Sequence, residues 1–336
     1  MTGDRIDQDR LTAAAAGVDA PDVVIACSQG GERLVATGGT AGRDASAIAD
    51  LRYEIGSASK TFTGLLLAQL NHRGVLSLAD PLTRHLPAGR AHARRDAIAL
   101  FHLITHTAGL PRLPGDLARY RLPFWFGNPY DGYTTGQLLD AFTGTRPTGR
   151  PGTRWCYSNF GVALLGAALA RATTTPFERL LTDEILVTVG LKDTALAPQG
   201  EGRDATGHGW RGERPVPPFD AGAFAAAGAV RATADDLLTY LEAHLEPDRV
   251  PPLSDALRFV RKTAVRRGFR HQHSHTLTWF QHEYDDGPVF FHAGATFGQE
   301  AFLGFRPATG TAVVALDTRR YRYGSTLQQR AYELLT

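Results

Sequence analysis

The chain has 336 residues and a mass of 36.3 kDa, with 43% apolar and 21% charged residues. That balance supports one large domain or two interlocked ones around a real core, and excludes disorder of the whole chain. The 36 basic and 34 acidic residues leave a net charge of +2, which gives no support to general nucleic-acid binding, and no apolar run is long enough for a membrane-spanning helix.

Residues 1–20 carry Asp4, Arg5, Asp7, Asp9 and Arg10. Their one apolar patch, 13–18, is too short for the core of a secretory leader, so a cytoplasmic location is expected. Segments 22–29 and 33–37 read as two strands around the Gly30-Gly31 turn. A helix is predicted to start near Ser57, with Phe62, Leu65, Leu66 and Leu70 at helical spacing and Gly74 at its C-terminal cap. Asp80-Pro81 reads as an N-cap and the first residue of another helix. Segment 112–133 is a long loop carrying Tyr120, Phe124, Trp125, Phe126, Tyr130 and Tyr133, and it either walls a pocket or packs on itself. Further helices are predicted at 134–142, 159–172, 176–189 and 234–245, the last with Thr233 as N-cap and Asp236 bonding back. Residues 200–218 form a loop rich in Gly, Pro and charge. From 277 the period changes, giving strands at 277–284, 289–292, 300–305 and 311–317 before a last helix at 325–335.

Strands, a long helical middle and strands again predict an α+β fold. A three-layer α-β-α region with a central antiparallel sheet (1–70 and 225–336) would carry an inserted all-helical region (71–224), together one catalytic domain.

Three short motifs carry chemistry. Ser57-Ala58-Ser59-Lys60 opens the first long helix. Positions i and i+3 share a helix face, so the Lys60 amine can reach the Ser57 hydroxyl. A serine needs a neighbouring base to act as a nucleophile, and a buried lysine with a lowered pKa can be that base. Only three of the 36 basic residues are lysine, which sets Lys60 apart in an arginine-rich chain. The plain alternative is a capping serine beside a solvated lysine. Tyr157-Ser158-Asn159 offers a phenol that can pass protons and an amide that can hold a lysine or a substrate carbonyl, or else only a turn before a helix. His292-Ala293-Gly294 ends a predicted strand. A small residue there lets a carbonyl substrate lie against the backbone, where an N–H can join that of Ser57 in an oxyanion hole.

These motifs, in this order, resemble the serine β-lactamase and penicillin-binding protein superfamily, and within it the class C β-lactamase-like branch with its esterases, D-amino-acid peptidases and acyltransferases. The likeness covers much of 55–305. Ile55-Gly56-Ser57-Ala58-Ser59-Lys60-Thr61-Phe62-Thr63-Gly64 is similar to that branch's first motif, and Leu103-Ile104-Thr105-His106-Thr107-Ala108-Gly109-Leu110-Pro111 to its buried support segment. Pro151-Gly152-Thr153-Arg154-Trp155-Cys156-Tyr157-Ser158-Asn159 resembles the approach to its Tyr-x-Asn. Segment 228–235 resembles a further family segment, and His292-Ala293-Gly294-Ala295-Thr296-Phe297-Gly298 its third motif. The resemblance implies that Ser57 is acylated, Lys60 is the base and Tyr157 shuttles the proton. Asn159 would orient Lys60 and the acyl side chain, His292 would shape the charge beside Tyr157, and the N–H groups of Ser57 and Ala295 would form the oxyanion hole beside Gly294. The third motif has lysine in β-lactamases and often histidine in esterases and peptidases. A histidine carries only part of a charge near neutral pH, which favours an ester or amide of a small molecule over a β-lactam or D-alanyl terminus.

The expected activity is thus a serine hydrolase acting through an acyl-enzyme. The alternatives, in order, are an acyltransferase with an amine or alcohol acceptor, a β-lactamase or D-Ala-D-Ala carboxypeptidase, and a non-catalytic binding protein. A small-molecule acyl donor is the expected partner, with no cofactor, metal, nucleic acid or membrane. Arg258, Arg261, Lys262, Arg266, Arg267 and Arg270 read as a solvated loop, with an acidic partner as the sharper alternative. His271, His273 and His275 alternate and could share a strand face, but no fourth metal ligand accompanies them. His106 reads as structural, and Cys156 as a small buried residue without a base.

Overall fold

The computed structural model describes residues 5–87, 92–118, 128–267 and 273–336. Among the described residues eleven strands build two sheets: β1 (Val23–Gln29), β2 (Glu32–Gly38), β3 (Tyr53–Glu54), β4 (Thr194–Ala195), β5 (Arg231–Ala232), β6 (Thr263–Arg267), β7 (His273–Thr276), β8 (Phe280–His282), β9 (Val289–Ala295), β10 (Glu300–Arg306) and β11 (Thr311–Asp317). The main sheet has the order β2-β1-β11-β10-β9-β8-β7-β6 and is antiparallel throughout. The first and last strands are neighbours in it, with Val23 opposite Asp317 and Gln29 opposite Thr311.

Alternation along the central strands supplies two apolar faces. Val24, Ala26, Leu303, Phe305, Val314 and Leu316 pack against the larger core, which holds Phe62 and Leu66 of the Ser59–His72 helix and Leu237 and Leu241 of the Ala234–Leu245 helix. Val23, Ile25, Phe302, Val313 and Ala315 pack against Leu11 and Ala15 of the Gln8–Ala16 helix and Leu327 and Ala331 of the Leu327–Leu335 helix. This is the three-layer α-β-α arrangement expected. The small sheet β3-β5-β4 ties the chain just before Ser57 to residues 231–232 and 194–195, so one short strand of the inserted region accompanies its helices.

Several local expectations change. The apolar patch near the N-terminus folds as part of the Gln8–Ala16 helix, capped by Asp7 accepting from Arg10 N at 2.8 Å, with Leu11, Ala14 and Ala15 buried. Asp80 does not cap a long helix. Its carboxylate accepts from Ser77 N at 3.0 Å and from Arg84 at 2.9 Å, and only the turn Leu82–Arg84 follows. Thr233 caps its helix by accepting from Asp236 N at 3.2 Å, but the Asp236 carboxylate turns away to Asp193 N and the Thr194 hydroxyl, both at 2.7 Å. The predicted 277–284 strand shortens to β8, because residues 277–279 form a turn after β7 in which the Thr276 hydroxyl accepts from Trp279 N at 2.9 Å. The basic stretch is not one loop: Arg258 lies in the Ser254–Phe259 helix, Arg261 and Lys262 in the turn after it, and Arg266 and Arg267 in the edge strand β6, where the exposed Arg266 suits an edge by discouraging further pairing.

The buried central strands dominate stability. Leu303→Ala, at a fully buried site on β10, is expected to cost about 2–5 kcal/mol in urea unfolding, whereas Val187→Ala, at a 68% exposed site, should stay within about 0.5 kcal/mol.

Candidate active site

Ser57 lies in the 3-10 turn Gly56–Ala58, which runs directly into the Ser59–His72 helix. Two glycines set how closely this turn meets β9. Gly56 has φ +48°, and a Cβ on it would stand 2.5 Å from the Ala295 carbonyl oxygen. A Cβ on Gly294 would stand 1.9 Å from the Ile55 carbonyl oxygen and 2.8 Å from Ser57 N. Gly294 therefore serves the close approach of two backbones, not room for a substrate as the sequence suggested.

Ser57 Oγ sits between two polar heads. Lys60 Nζ is 3.0 Å away, and the Tyr157 hydroxyl donates to Oγ at 2.7 Å. The amine also donates to the Ala227 carbonyl at 2.7 Å, while the Thr63 hydroxyl donates to Ala226 O at 2.6 Å. One helix face thus satisfies carbonyls at the end of the short Ala225–Gly228 helix. Lys60 is only 2% exposed, and burial, with Arg112 nearby, holds its pKa well below the ordinary lysine value. Its amine lies 5.0 Å from the centre of the Tyr157 ring. Burial pushes the Tyr157 phenol up to about 12, against the smaller opposing effects of its bond to Ser57 and of Arg112. Of the two groups on Oγ, the amine is the one held ready to accept a proton.

Tyr157 is placed by the support segment. The His106 carbonyl accepts from Cys156 N at 2.7 Å, its Nδ1 accepts from Ser158 N at 3.2 Å, and its ring lies 4.5 Å from that of Tyr157. Ser158 caps the Asn159–Thr173 helix, accepting from Gly161 N at 2.9 Å and donating to Pro111 O at 2.6 Å. Cys156 is exposed, contrary to expectation, in the irregular segment 154–158 that follows the turn at 151–153.

Asn159 does not hold Lys60. Its Nδ2 donates to the Tyr130 hydroxyl at 3.3 Å, and its buried Oδ1 has no partner among the described residues. His292 is 2% exposed, with Nδ1 on the Ala293 carbonyl at 2.8 Å. Burial first, and then Lys60, lower its pKa to about 3, so it is uncharged rather than partly charged. The cavity of about 220 Å³ in front of Ser57 is lined by Ala295, Asn159 and Tyr130 but by neither His292 nor Gly294. Its remaining wall includes Thr296 and Phe297 of the third motif, and Arg112, Leu113, Phe219 and Phe224, which lie in none of the motifs because side chains far apart in sequence carry no local signal. Of the predicted aromatic loop, Tyr120, Phe124, Trp125 and Phe126 lie outside the described residues, as do Arg270, His271 and the side chains of Arg267 and His273. His275 is buried with Nδ1 on Thr276 O at 2.6 Å, and no metal-binding cluster occurs among the described residues.

A buried ion pair braces two of these walls. Glu54 accepts from Phe219 N at 2.7 Å and from the Thr296 hydroxyl at 2.6 Å, with Arg231 at 3.5 Å, and Arg231 donates to Phe219 O at 2.7 Å.

The family model described as Beta-lactamase matches residues 9–336. The chain belongs to the beta-lactamase family. A "Beta-lactamase" of Pseudomonas fluorescens is 32% identical over 61% of this chain and 54% of its own length. The "D-alanyl-D-alanine-carboxypeptidase/endopeptidase AmpH" of Escherichia coli (strain K12) is 29% identical over 59% of this chain and 50% of its own. The chain thus spans about half the length of the curated relatives it matches. A class C beta-lactamase in complex with cefoxitin superposes with a TM-score of 0.82, at 21% identity, covering 98% of this chain and 99% of that one. The class C beta-lactamase of Rhodobacter sphaeroides does so with a TM-score of 0.80, at 24% identity, over 97% and 98%. The fold is theirs, and the family is one of serine hydrolases. No helix among the described residues is long and apolar enough to cross a membrane.

Removing one partner of a buried ion pair strands the other charge. Arg231→Met is expected to lower stability by about 3–5 kcal/mol in urea unfolding, and adding Glu54→Leu should recover part of the loss.

Proposed function

We propose that this protein is a serine hydrolase acting through an acyl-enzyme on an ester or amide of a small molecule. The observation that carries the reading is Ser57 Oγ bonded at once to a buried, low-pKa lysine and to a protonated tyrosine. Lys60, as the free amine, takes the Ser57 proton while Oγ attacks the carbonyl carbon. The Ser57 and Ala295 N–H groups receive the developing oxyanion. Tyr157 gives its proton to the leaving oxygen or nitrogen and regains one from the Lys60 ammonium. Water then enters, gives a proton to the same pair and attacks the acyl carbon, which releases the acid and restores Ser57.

Asn159 lines the cavity, where its amide suits the acyl part of a substrate. The uncharged His292 supplies no cation to a substrate carboxylate, so any such group must be met by another residue of the cavity. A second reading, acyl transfer, draws on the wall of Leu113, Phe219, Phe224 and Phe297: an apolar wall can seat an organic alcohol or amine in place of water.

A fluorophosphonate is expected to add once to the protein, on Ser57, by intact mass and peptide mapping. An unmodified Ser57 in folded protein overturns the proposal. Tyr157→Phe should lower kcat on an activated ester by about 10²–10⁴-fold. Because only the neutral amine accepts the proton, kcat/KM should fall as pH drops through the lowered Lys60 pKa. The acid limb of the profile should therefore lie well below 10.5, the ordinary lysine value, and an acid limb at that value would sink the assignment of Lys60 as base. Adding a primary amine during turnover separates hydrolysis from transfer by the product formed.

A further inference from the structure

Arg112 is the single charged side chain among the described residues that line the Ser57 cavity. Other arginines near the site are already paired: Arg231 with Glu54 at 3.5 Å, and Arg52 with Asp204 at 2.7 Å. Arg112 has no carboxylate partner among the described residues. Its guanidinium lies 5.5 Å from the centre of the Tyr157 ring. Its backbone is fixed to the segment that carries Tyr157. The Pro111 carbonyl accepts from Ser158 Oγ at 2.6 Å, and the Arg112 carbonyl accepts from Phe160 N at 3.2 Å. An exposed, unneutralised guanidinium thus stands at the rim of a small, otherwise uncharged cavity, next to the phenol that faces the nucleophile.

We propose that Arg112 recognises an anionic group on the substrate, and that the ester or amide taken by Ser57 carries a carboxylate within an arginine's reach of its scissile carbonyl. A guanidinium matches a carboxylate with two parallel N–H bonds and stays charged at every working pH. The rest of the substrate packs on Leu113, Phe219, Phe224 and Phe297, and a cavity of about 220 Å³ keeps it small. The charge that His292 does not supply in the third motif is supplied instead from the loop before the Tyr157 segment. The inference rests on the acyl-enzyme reading and names its substrate class.

The test uses matched esters. Mono-p-nitrophenyl adipate is compared with p-nitrophenyl hexanoate, placing the carboxylate on the acyl side, and 4-acetoxybenzoate with its methyl ester, placing it on the leaving side. In at least one pair the anionic ester is expected to have a kcat/KM at least tenfold above its neutral partner. That ratio should collapse toward one in Arg112→Gln, mainly through KM, and recover in part in Arg112→Lys. Replacing Arg112 also alters the charge around Lys60, but it does so for both members of a pair, so the ratio reports recognition alone. No preference in either pair, or a preference that survives Arg112→Gln, overturns the inference while leaving the acyl-enzyme reading intact. Hydrolysis of all four esters that persists in Ser57→Ala overturns both.

Discussion

A lysine amine removed from water is costly while it stays charged, and the cost is least when it gives up its proton. The arrangement around Ser57 follows from imposing that cost on Lys60. The amine is buried under the Ala225–Gly228 turn with one carbonyl and one hydroxyl for company, and no carboxylate stands close enough among its bonds to keep it an ammonium. Arg112 adds an opposing charge, and His292, the titratable ring beneath, is itself kept neutral. A base is made by withholding the partners that a lysine normally finds.

The walls obey a different rule. Glu54 and Arg231 are equally buried but paired, and their remaining bonding capacity goes into the Phe219 loop and Thr296. The same low-dielectric interior that neutralises Lys60 strengthens this pair, because here each charge has a partner and hydrogen bonds besides. Tyr157 is placed through its neighbours Cys156 and Ser158, whose N–H groups bond to His106, and burial outweighs the pull of Arg112 so that the phenol faces Oγ protonated.

Local rules read the central elements well. Alternation gave β1, β10 and β11 to within a residue and the first four residues of β9, and the Thr233 cap marked the Ala234–Leu245 helix. The spacing of Ser57 and Lys60 on one face was visible because a three-residue step is a property of the helix itself. What stayed hidden depends on distant partners. Gly294 reads as a gap for substrate until the Ile55 carbonyl is seen against it, and Asn159 reads as a lysine partner until Ala227 O takes that place. The charge state of His292 is a property of its burial, which a motif does not record. Arg112 carries no local mark: its meaning comes from what fails to pair with it.

The position of β11 has a consequence for how the molecule comes into being. The β1–β2 hairpin borders the sheet through β11 alone, so residues 23–38 gain their inner neighbour only when residues 311–317 are present. Contacts that span nearly the whole sequence are slow to form, since the intervening chain must be gathered first. On the ribosome the opening hairpin waits as an unpaired edge until the last strand emerges, an interval in which a chaperone has reason to cover it.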